Sequence, residues 1–116
     1  MQYMLLIYGD EAGLQTATET QIAQTMAAYR AYTEALRKAG VHVSSDRLKP
    51  IATATTVHVA GGKTVVLNGP YAETREQLGG YFLIDVPDLD AALSWAARCP
   101  GASMGKVEVR PIWAMT

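Results

Sequence analysis

Cysteine occurs once in the 116 residues, at Cys99, so the chain cannot close a disulfide on itself. Histidine occurs only at His42 and His58, which are too far apart for a zinc-ligand spacing, so neither a metal nor another cofactor is expected. Neither charge sign is in excess: ten Lys+Arg stand against eleven Asp+Glu, for a net charge of -1. Without a basic surplus there is little counterion release to drive nucleic-acid binding, which argues against a DNA or RNA partner. No apolar run approaches the roughly 18–20 residues that a membrane span needs. Met1 to Tyr8 lacks the basic start and small-residue cleavage site of a signal peptide, so a soluble, cytoplasmic protein is expected. No repeat, low-complexity stretch or linker divides the chain, which reads as one domain over 1–116.

What is present is 49% hydrophobic and 18% charged, the balance of a globular domain. Residues 2–8 form a short apolar run, the pattern of a strand buried on both faces. Gly9 to Gly13 reads as a turn. Thr18 and Gln21 have capping-box spacing, and Ile22, Met26, Tyr29, Thr33 and Leu36 mark one stripe of a helix over 18–39, closed by Gly40. A strand over 41–44 follows. Thr53 to Val59 and Lys63 to Leu67 flank Gly61-Gly62 and predict a tight hairpin. Residues 71–79 read as a polar loop and 80–86 as a second strand apolar on both faces. Asp88 caps a second helix, Pro100-Gly101 closes it, and Val107 to Ile112 gives a last strand.

This order is α+β, a ferredoxin-like βαβ(ββ)βαβ layout with an inserted hairpin. Two helices cover one face of such a sheet, yet residues 3–8 and 81–86 are apolar on both. A homodimer through the open sheet face is therefore expected, the alternative being that the hairpin or the tail folds over it. Alternation alone does not settle which face Leu5 or Leu83 occupies. Trp95 and Trp113 are expected at the core edge or the dimer contact, Tyr32 at a flank or interface, and Cys99 as a packed thiol.

Residues 68–81, Asn-Gly-Pro-Tyr-Ala-Glu-Thr-Arg-Glu-Gln-Leu-Gly-Gly-Tyr, resemble the signature of the DGPF family of YCII-related proteins. Met4 to Asp10, Ala52 to Val57, Asp88 to Leu93 and Val107 to Pro111 fit the same family in order. The resemblance implies a small dimeric α+β barrel. With the polar residues at the first strand's end, it implies a small-molecule-binding dimer with proton-transfer or lyase-type chemistry. The alternative is a non-catalytic regulatory or interaction module, since some members are encoded beside alternative sigma factors. The signature's Asp is here Asn68 and its Phe is Tyr71. A family site that pairs an Asp ending the first strand with a His on the first helix would here hold Asp10 and Tyr29, so no His–carboxylate dyad exists.

Asp10 and Tyr29 are accordingly the candidate catalytic residues, as a Tyr–carboxylate pair on a pocket floor. Their alternatives are a turn residue bonded to its own backbone and plain core packing. Arg47, Asn68, Glu73 and Arg75 are the candidate substrate-binding residues, because an Arg fork suits a small acid. A surface ion pair of Arg75 with Glu73 or Glu76, and a turn-shaping role for Asn68, stand against this. Gly79-Gly80 precedes a strand and is no phosphate loop.

Overall fold

The computed structural model describes residues 1–115. Strands β1 (Gln2–Gly9), β2 (His42–Arg47), β5 (Gln77–Asp85) and β6 (Lys106–Pro111) form one sheet in the order β2-β5-β1-β6, with every neighbouring pair antiparallel. Helices α2 (Glu19–Lys38) and α3 (Leu89–Arg98) connect the strands of each half, which is the expected ferredoxin-like arrangement. Short helices α1 (Glu11–Gln15) and α4 (Pro100–Met104) flank them. The sheet is open within one chain and forms no closed barrel. Strands β3 (Thr55–Ala60) and β4 (Lys63–Asn68) make a separate two-stranded sheet, joined through Gly61 and Gly62 at φ +56° and +76°. Those left-handed values suit glycine, and they give the tight turn that the sequence predicts.

Helix α2 begins where its capping box places it. The Thr18 hydroxyl accepts from Gln21 N–H at 3.1 Å, and the Gln21 amide accepts from Thr18 N–H at 2.9 Å. Its apolar stripe is buried only in part. Tyr32 and Leu36 are buried and Tyr29 and Thr33 half-buried, whereas Ile22 and Met26 are exposed. Met26 meets Arg47, whose ladder partner is Gly80.

Three local readings need correction. Asp10 to Gly13 is not a plain turn, because Asp10 caps α1. Pro100-Gly101 does not end the helical region but opens α4, with Pro at the first turn, where its missing N–H costs nothing. Tyr32 is a core residue rather than a flanking one: its ring meets Phe82 edge-on at 5.1 Å.

The core lies between the helices and one sheet face. Tyr3, Leu5, Phe82 and Ile84 point into it, against Leu36, Ala92, Ala96 and Cys99. Alternation puts Met4, Leu6, Tyr81 and Leu83 on the opposite face, where they are half-buried. Ser44 and Asp46 on one edge strand and Glu108 and Arg110 on the other border this stripe with polar groups. Trp95 packs at the core edge under Arg98, while Trp113 is exposed.

Candidate functional site

Tyr29 stands on the sheet-facing side of α2, its ring parallel to Phe82 with centroids 6.4 Å apart. Its hydroxyl lies at the start of α4. A Cβ on Gly101 would come within 2.8 Å of it, so only glycine lets the backbone approach so closely. Burial pushes the Tyr29 phenol up to about 12, with the neighbouring Cys99 adding to this; the Gly101 N–H and the Arg47 guanidinium act in the opposite sense. Burial also raises the Cys99 thiol, partly offset by the N–H groups of Gly101 and Ala102 and by the Tyr29 hydroxyl. Both groups therefore hold their protons at neutral pH.

Arg47 ends β2 on the same side. Its Nη1 lies 3.5 Å from Met26 Sδ, and its side chain remains exposed. Among the described residues it forms no ion pair, and its charge is felt at Tyr29. A half-buried tyrosine at the middle of α2 and an exposed planar cation at Met26, about one turn earlier, thus lie along the same helix, and the guanidinium suits an oxyanion.

The other candidates do not join this pair. The Asp10 carboxylate accepts from Ala12 N–H at 2.9 Å as the cap of α1, and among the described residues no bond links it to Tyr29. Asn68 is exposed at the end of β4, opposite Thr55, and Gly69 after it has φ +128°. Glu73 and Arg75 are exposed and, among the described residues, form no ion pair, while Glu76 pairs with Lys106. His42 is half-buried, bonded to Ser45 at 2.9 Å, and His58 is exposed.

Two polar residues missed in the sequence brace the region. The Glu11 carboxylate accepts from Ile51 N–H at 3.0 Å, and Glu11 N–H donates to Gln77 Oε1 at 3.0 Å. They tie α1 to the turn before β3 and to the start of β5. Contacts spanning 40 and 66 residues leave no trace in local spacing. An open cleft of about 570 Å³ lies elsewhere, lined by Tyr8, Glu76, Lys106, Val107 and Glu108. No cluster of metal-ligating side chains occurs among the described residues, and no helix among them is long and apolar enough to cross a membrane.

The family model of the YCII-related domain matches residues 1–116. An uncharacterised protein of Rhizobium meliloti (strain 1021) is 37% identical to the chain over 114 residues, which is 97% of this chain and 92% of that protein.

Proposed function

The chain belongs to the YCII-related family, and from that premise we propose that it binds a small organic acid at Tyr29 and Arg47, as a homodimer joined through the open sheet face. One observation carries the reading: the exposed Arg47, which forms no ion pair among the described residues, reaches Met26 on α2, about one turn before the half-buried Tyr29. The guanidinium supplies charge and a planar donor fork. The phenol, held protonated, supplies a second donor. A proton-transfer or lyase-type step would draw on that same proton.

The homodimer is supported by the half-buried stripe of Met4, Leu6, Tyr81 and Leu83, bordered by polar groups, on the sheet face opposite the helices. One observation favours the second reading, a non-catalytic module: the Asp10 carboxylate accepts from Ala12 N–H, and among the described residues no bond links it to Tyr29.

Calorimetric titration with a panel of small carboxylic acids tests the proposal. At least one acid binds the wild type, Tyr29→Phe and Arg47→Ala each weaken it, and Asp10→Ala leaves affinity unchanged. Failure of every acid to bind, or full affinity in both Tyr29→Phe and Arg47→Ala, overturns the site.

A further inference from the structure

We propose that the β3–β4 hairpin is a dimerisation arm that seats on a second copy of this chain. The inference rests on the homodimer proposed above and extends its contact beyond the sheet face.

The hairpin is exposed along nearly its whole length. Thr56 is half-buried and Val65 is 39% exposed, while Val57, Val59, Val66 and Leu67 are each 56–62% exposed. Cross-strand pairing puts Val57, Val59 and Val66 on one face beside Thr55, Thr64 and Asn68, and Leu67 and Val65 on the other beside Thr56, His58 and Lys63, so both faces carry exposed apolar side chains. From Ile51 to Pro70 the sole formal charge is Lys63. An isolated two-stranded hairpin is marginal in water, and an apolar one with open edges invites strand pairing. Such a hairpin gains stability when a partner covers it.

The base of the arm is fastened. Gly69 N–H donates to Ala54 O at 2.7 Å, the Thr56 hydroxyl donates to Gly69 O at 2.8 Å, and Glu11 holds the backbone at Ile51. The first two bonds close the base of the hairpin on itself, and the third ties the segment before it to α1. The chain is flat, 48 × 46 × 18 Å, with a radius of gyration of 16.2 Å where a compact chain of this length has about 13–14 Å.

The exposed area indicates what covers the arm. The chain exposes 8301 Å², about 2,100 Å² more than the roughly 6,200 Å² of a compact monomer of its mass. Two copies hiding that excess would bury about 4,200 Å² in total, within the obligate homodimer range of about 2,000–5,000 Å². Depletion of charge is the compositional mark of such permanent contacts. A second copy is also the one partner made in fixed proportion to the arm.

Light scattering combined with amide hydrogen exchange on the wild type, Leu83→Asp and the double variant Val57→Lys/Val66→Lys tests the arm. The expected result is a wild-type dimer whose 55–68 amides exchange roughly tenfold or more slowly than in monomeric Leu83→Asp, and a double variant whose dimer dissociation constant rises roughly tenfold or more with core exchange unchanged. A wild-type dimer with equal hairpin exchange in both states, and a double variant that dimerises normally, overturns the arm and leaves the sheet-face dimer standing. A hairpin protected in the monomer also overturns it, because the arm then folds on its own chain. A wild type that is monomeric throughout overturns the sheet-face dimer and the arm together.

Discussion

The Tyr32 hydroxyl donates to the Trp95 carbonyl at 2.7 Å, joining α2 to α3 over the sheet. The same ring meets both Phe82 and Trp95 edge-on. Burial holds this phenol well above its ordinary range, so it remains a donor at any physiological pH. Tyr32→Phe keeps the ring and leaves the Trp95 carbonyl without this partner. The expected cost is about 1–2 kcal/mol, read as a lower midpoint in urea at an unchanged slope.

Asp10 closes the first turn of α1 through its bond to Ala12 N–H. Asp10→Ala should lower stability by about 1 kcal/mol, while Asp10→Asn, which preserves an accepting oxygen, should cost only a few tenths. Thermal melts of the two variants separate these outcomes. Equal losses in both would mean that the carboxylate charge matters beyond the bond to Ala12.

His42 has its pKa lowered, first by burial and then by Arg37. For a base this means that the unfolded chain binds protons more readily than the folded one. Its contribution is complete above the ordinary value of about 6.5 and is lost as pH falls through the lower folded value. Wild type should therefore lose stability on acidification from about pH 7, before the carboxylates titrate. His42→Gln should flatten that slope, which denaturant midpoints measured across the range will show.

Leu5 and Leu83 distinguish the two sheet faces. Leu5 is fully buried against the helices, so Leu5→Asp places an unpaired charge in the core and should abolish folding. Leu83 is only half-buried on the other face, so Leu83→Asp should fold and sediment as a monomer. Circular dichroism and sedimentation velocity read the two results.

The fold was legible in the sequence because its cues are local. The Thr18–Gln21 capping box, the Gly61-Gly62 turn and the two doubly apolar strands each lie within one element, and each forms as predicted. The apolar stripe over α2 extends in sequence to Ile22 and Met26, which the structure leaves exposed, because helical period does not reveal how far along the helix the supporting sheet reaches. The site was harder still to read. Tyr29 was legible as a stripe residue, but its neighbours Cys99 and Gly101 arrive from about seventy residues away, through a helix that Pro100 starts where sequence pattern alone predicts a stop. Glu11 and Gln77 were invisible for the same reason, since their bonds exist only after the chain has closed.

The most direct test of the binding site is a nuclear magnetic resonance titration of ring-labelled tyrosines with the panel of small acids, in wild type and Arg47→Ala. The Tyr29 ring signal should shift saturably with at least one acid, the Tyr32 signal should remain still, and Arg47→Ala should abolish the shift. A Tyr29 signal that stays fixed through every titration, or that moves equally without Arg47, would contradict the proposed site.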